Sequence, residues 1–174
     1  MSEAMITTMG GAVVVDGTRR ARRVVAIETC VAEAARLGGK DVHFGFPAYT
    51  APAGAGLPCR HCLQRIEEGA SATLFTLDPF AGVEKLPLPG PVYVHGDGCE
   101  RYSEDRALPM HLMKSPRTLN AYAKGRRLVA QEYVDQSAAA EAIERLMGRE
   151  DVDYIHVRST TAGCYTFRVE RVER

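Results

Sequence analysis

Apolar residues recur along this chain with two different periods, and the points where the period changes mark the predicted elements. Ala12 to Val15, followed by Asp16-Gly17, has the make-up of a short strand and a turn. Val24, Ile27, Val31, Ala34 and Leu37 then recur every three or four positions ahead of Gly38-Gly39, which predicts a helix closed by glycine. A competing parse makes Arg23 to Thr29 a strand, because Val-Val-Ala-Ile is rich in β-branched residues. From His43 to Pro58 the chain carries Pro47, Pro52 and Pro58 with Gly45, Gly54 and Gly56, a density that predicts a long loop. Leu63 and Ile66, stopped by Gly69, predict a turn or two of helix. Ser71 to Leu77 reads as a strand with Phe75 and Leu77 on one face, ended by Asp78-Pro79.

In the second half, Val92 to His95 predicts a short strand, with Tyr93 and His95 on the more polar face and Val92 and Val94 opposite. It breaks at Gly96-Asp97-Gly98. Met110, Leu112 and Met113, between Pro109 and Pro116, predict a short irregular piece covering part of the core. Thr118 to Ala123 and Arg126 to Val134 form a predicted hairpin about Lys124-Gly125, and Asp135 or Ser137 can cap the helix that follows. Its stripe is Ala139, Ala142, Ile143, Leu146 and Met147, closing at Gly148. Strand, helix and strand from Arg126 to Arg158 would form a right-handed crossover if the strands are parallel. A last hairpin joins Asp153–Arg158 to Cys164–Glu170. Pairing Arg158 with Cys164 puts Ile155 and Val157 on the core side with Tyr165, Phe167 and Val169. The other face carries Tyr154, His156, Arg158, Cys164, Thr166 and Arg168, and either meets water, the commoner case, or lines a polar cleft. The fold class this implies is α+β, a mainly antiparallel twisted sheet with a few helices packed on one face. Residues 43–174 form one such domain, preceded by a strand and helix extension in residues 1–42 that joins the core or stands apart from it.

A chain of 174 residues buries enough surface to fold without staples. Lys+Arg and Asp+Glu balance at 22 each, so no long-range field favours nucleic acid or an anionic membrane, and neither is an expected partner. Arg19, Arg20, Arg22 and Arg23 are a local basic cluster best read as the solvated start of a helix. The first 15 residues lack the charged start and apolar run of an export signal. With an odd count of five cysteines, this predicts a cytoplasmic protein with reduced thiols.

The loaded stretch is Pro58-Cys59-Arg60-His61-Cys62-Leu63. Two thiols at this spacing most often just pack as small apolar groups, and two chemical uses compete with that. In the first, Cys59 and Cys62 join His95 and Cys99, which have ligand-like spacing of their own, to make a four-coordinate zinc site, with His61 as a spare ligand. The 32 residues from Cys62 to His95 exceed the spacing of a zinc finger, so the fold has to bring the pairs together. In the second, Cys59 is an attacking thiolate lowered by Arg60, His61 and a following helix start, and Cys62 resolves the mixed disulfide. A separate cluster, His156, Arg158 and Cys164, could supply a thiol–imidazole couple or bind a small molecule of unspecified kind. Asp78, Asp97 and Glu100 sit at turns, where carboxylates commonly cap backbone. No phosphate-binding glycine loop, nucleophile elbow or zinc-protease helix is present.

Several short blocks in order carry a family resemblance. They are Pro58-Cys59-Arg60, Asp78-Pro79-Phe80, Gly90-Pro91-Val92-Tyr93-Val94-His95, Cys99-Glu100, His156-Val157-Arg158 and Gly163-Cys164-Tyr165. Over residues 43–172 the chain resembles the bacterial family catalogued as domain of unknown function 1203. The resemblance implies a small bacterial cytoplasmic protein and brings no reaction, cofactor or partner with it.

Overall fold

The computed structural model describes residues 22–83 and 87–172. The strand and turn expected at residues 12–17, with Arg19 and Arg20, lie outside these. The described residues form eight strands and two α-helices. Five strands make one sheet in the order β1 (Arg22–Val25), β8 (Tyr165–Arg171), β7 (Tyr154–Ser159), β5 (Arg117–Tyr122), β6 (Leu128–Val134). Three make a second: β2 (Tyr49–Pro52), β3 (Ser71–Leu77), β4 (Gly90–His95). Every pairing between these strands is antiparallel, so the α+β class holds, with the strands divided between two sheets. Because β6 and β7 both oppose β5, they run parallel to each other with β5 between them. No helix among the described residues is long and apolar enough to cross a membrane.

The elements with a clean single period form where expected. Helix α2 (Ala139–Gly148) buries all five residues of its predicted stripe, Ala139, Ala142, Ile143, Leu146 and Met147, against Leu119, Ile155, Val157, Phe167 and Val169 of the large sheet. Burial of each large member of that stripe contributes roughly 1.5–3 kcal/mol. Asp135 Oδ1 accepts the backbone N–H groups of Ser137 and Ala138 and so closes the turn before the helix, but the N-cap itself is Ala138, without a side-chain cap from Asp135 or Ser137. Gly125, at φ +78°, turns the β5–β6 hairpin.

Three predicted elements are corrected. The helix expected from Val24 starts only at Thr29: Val24 and Val25 belong to β1, paired with Val169 and Arg168, so the competing strand parse of Arg23 to Thr29 holds for its first three residues and fails beyond Val25. Helix α1 (Thr29–Gly38) then buries Ala32 and Ala35 and leaves Leu37 exposed, so the apparent stripe straddled a strand and a helix. Arg22 and Arg23 are paired strand residues, the first with Glu144 and the second with Glu104 and Glu170, and they begin no helix. The loop expected over His43–Pro58 contains β2, an edge strand with exposed residues and therefore no apolar alternation to betray it. Leu63 to Gly69 makes no helix; it leaves a tight turn at Cys59–Cys62 through Leu63, whose φ of +54° is left-handed.

The last hairpin pairs Val157 with Phe167 but Arg158 with Tyr165, so β8 carries one extra residue at a bulge and Arg158 does not face Cys164. The bulge sends Tyr165 into a second core beside Phe75, Val92 and Val94, while Phe167 and Val169 stay in the first with α2. It also settles the fate of the opposite face. Tyr154, His156 and Thr166 are buried there, which overturns the expectation of a solvated strand face.

Candidate metal centre

The turn carrying Cys59 and Cys62 is held on three sides by backbone. Arg60 N–H donates to Tyr93 O of β4 at 3.0 Å, Ile27 N–H donates to Arg60 O at 3.1 Å, and Tyr102 N–H donates to His61 O at 2.9 Å. Within the turn, Cys59 N–H closes onto Gln64 O at 2.8 Å. The left-handed backbone of Leu63 is sterically costly for a residue with a Cβ. It is tolerated because the side chain is fully buried in the α2 core and the carbonyl accepts from His111 Nε2 at 2.7 Å. Cys59 and Ile66 belong to the other core, so one short turn spans both.

The second pair sits on the turn that ends β4. Gly96 N–H donates to Ser71 O at 2.7 Å, and Gly98 takes φ +94°, which folds the chain back so that Cys99 comes beside His95. The two turns meet: one ligand atom each from Cys59, Cys62, His95 and Cys99 lies within 4.8 Å of all the others. Cys59 Sγ is 3.7 Å from Cys99 Sγ, and Cys62 Sγ is 3.5 Å from His95 Nδ1. A tetrahedral zinc with ordinary bond lengths requires sulfur–sulfur edges of about 3.8 Å and sulfur–nitrogen edges of about 3.6 Å. A disulfide would need about 2.0 Å. These two edges match such a site and the other donor pairs lie within 4.8 Å, so the cluster could hold a metal ion, on which four protein donors would leave no open position.

Residues around the four donors complete the charge balance. Three thiolates around a divalent ion would leave one net negative charge. Helix α1 lies beside it with both its ends engaged. Arg36 Nη2 donates to Cys99 Sγ at 3.3 Å and Arg36 Nε to His95 O at 2.8 Å. Thr29 Oγ1 lies 3.0 Å from His61 Nε2, and His61 Nδ1 lies 3.2 Å from Cys99 Sγ. Arg36 Nη2 also lies 3.4 Å from His61 Nδ1, so this ring nitrogen sits between a guanidinium and the Cys99 sulfur, and His61 stands beside the four donors rather than among them. Burial first, then the Arg36 guanidinium, lowers the His61 pKa. Among the thiols, Cys59 is drawn well down because Cys62 and then Cys99 donate to its sulfur, and contact with Cys59 pushes Cys62 and Cys99 up. Thr29 and Arg36 are seven residues apart, two helical turns on one face, a signal that appears only once the helix is started at Thr29.

Residues 56–171 match the family model described as Protein of unknown function (DUF1203). The chain belongs to that family. No curated protein and no solved structure matches it. The matched DUF1203 region holds all four donors, whereas Thr29 and Arg36 precede it.

The second candidate cluster of this DUF1203 chain does not assemble. Cys164 precedes β8, and its sulfur donates weakly to Ala162 O at 3.5 Å. His156 meets no thiol. Its ring is surrounded by Phe80, Tyr122, Tyr154 and Tyr165 with centroids 4.8 to 5.2 Å away, and neither ring nitrogen has a hydrogen-bond partner. Burial, then Arg158 and Arg168, pushes its pKa down to about 2. An unfolded histidine titrates near 6.5, so the unfolded chain takes up a proton below that pH and the folded ring does not. The contribution of this ring to stability is then flat above pH 6.5 and falls by about 1.4 kcal/mol per unit below it. His156→Phe is expected to raise the melting temperature at pH 7, by relieving a polar group that goes unpaired, and to show a shallower acid loss than the parent. Parallel acid-side melting curves for the two proteins would refute this neutral, unpaired histidine.

Proposed function

We propose that the Cys59, Cys62, His95 and Cys99 cluster holds one zinc ion as a structural centre, and that no reaction takes place on the ion. The spacing of the donors carries this reading, because the Cys59–Cys99 and Cys62–His95 edges agree with those of a tetrahedral sulfur–nitrogen site. Four protein donors fill the coordination shell, and the ion would tie the turn beside β4 to the segment after it. The prediction is one equivalent of zinc per chain in protein purified without added metal. In Cys59→Ser and His95→Ala that content should fall to a small fraction. Substoichiometric zinc that Cys59→Ser leaves unchanged would end the proposal. Thiol exchange at Cys59 with Cys62 resolving has less support. Cys59 is fully buried, and no helix begins after Cys62 to stabilise a thiolate.

A further inference from the structure

Beside the metal cluster, on the other side of the Cys59 turn, a cavity of about 460 Å³ opens between the two sheets. Its charged walls are Arg60, Arg65 and Arg117, and no carboxylate lines it. Arg60 and Arg117 are only 4% and 6% exposed. Buried guanidiniums normally face carboxylates, since desolvating an unpaired charge is costly. These do not: among the described residues neither one, nor Arg65, forms an ion pair with Asp or Glu.

Backbone carbonyls hold the two buried guanidiniums in place without neutralising them. Arg60 Nε donates to Tyr165 O at 2.9 Å and Arg60 Nη1 to Pro58 O at 2.6 Å. Arg117 donates to Leu112 O and Pro116 O, which leaves its buried Nε with no partner. Each cation also worsens its neighbour's position. Burial pushes Arg60 down to about 10, the Cys164 and Cys59 sulfurs offset part of that and Arg117 adds to it, and burial followed by Arg65 lowers Arg117. Ser115, Ser159 and Thr166 add hydroxyls to the wall, and Leu57, Leu74 and Leu112 give it an apolar side.

From the three uncompensated arginines and the apolar wall, we infer that this cavity binds a small organic anion with a phosphate or carboxylate head and an apolar body. Guanidinium forks match both head groups, and a doubly charged head offsets most of the local excess. The volume lies within the range of small-molecule sites. Of the residues first singled out for ligand binding, Cys164 lines this cavity, and His156 and Arg158 do not.

Phenyl phosphate and benzylmalonate, titrated calorimetrically into zinc-assayed full-length protein, test the inference and tell the two head groups apart. Saturable one-site binding is expected for at least one of them, weakening as salt is raised. Arg65 is exposed, so Arg65→Gln should fold normally and weaken that binding by about ten- to a hundredfold, the loss of one charge-assisted contact. Arg117→Gln should weaken it at least as much, with Arg65→Gln deciding the matter if the buried variant fails to fold. Failure of both anions to bind, or equal binding by Arg65→Gln and the parent, would overturn the site whatever the zinc content proves to be.

Discussion

Stripping the purified protein of zinc with a chelator is expected to lower its melting temperature by about 10 °C while leaving it folded. A ligand held by the native state alone stabilises by about 4 kcal/mol when present at a thousand times its dissociation constant. In a chain of this length each kcal/mol moves the midpoint by about 2–4 °C. The protein should stay folded because the core under α2 contains none of the four donors, and only Cys59 among them is fully buried. That sets it apart from small zinc domains, which have no other core. Cys59→Ser should reproduce the loss without chelator. Cys30→Ser, at an exposed cysteine outside the cluster, should not. Unchanged melting on chelation would contradict a structural ion, and complete unfolding would contradict the independence of the α2 core.

Gly96→Ala should be the most damaging single-methyl addition near the centre. A Cβ there would overlie Ser71 Oγ, and it would stand 2.9 Å from Ser71 Cβ and 3.1 Å from the Ser71 carbonyl carbon. The hydroxyl can rotate away, but the other two atoms belong to β3 and cannot. The end of β4 must then lift, which stretches the bond from Gly96 N–H to Ser71 O and displaces His95, the preceding residue, from the thiols. Overpacking of this kind costs about 1–3 kcal/mol, and zinc affinity in a competition assay should fall with it. Adding Ser71→Gly removes two of the three clashing atoms, Oγ and Cβ, and should recover most of both losses. Equal stability and zinc affinity in Gly96→Ala and the parent would show that His95 does not depend on this close approach.

The parts of the fold legible in the sequence are those where one period ran unbroken. Helix α2 and strand β3 each had a buried face and a turn residue at the boundary, and the β5–β6 hairpin was marked by Gly125 between two β-rich runs, so their patterns had one solution. Val24, Ile27 and Val31 misled because a strand end and a helix start happened to share a helical spacing. The bulge in β8 was invisible for a different reason, since an extra residue changes register without changing composition. At the candidate metal centre the four donors were legible because Cys and His at short spacings stand out in a chain. Arg36 was not, because it reaches Cys99 across 63 residues and nothing local distinguishes it from other helix arginines. The arginine-lined cavity was equally hidden, for Arg60, Arg65 and Arg117 come from separate turns and strands and become a group only when the sheets meet.

The outer margin of the small sheet is β2, and its residue Pro52 stands opposite Ser71. Ala53, the next residue, donates inward to Ala70 O at 2.7 Å, so alternation along the chain turns the Pro52 nitrogen outward, where it has no hydrogen to offer. A strand from another molecule approaching this border would find a rung missing from the ladder. Edge-to-edge growth of the sheet into a fibre is thereby discouraged along this border.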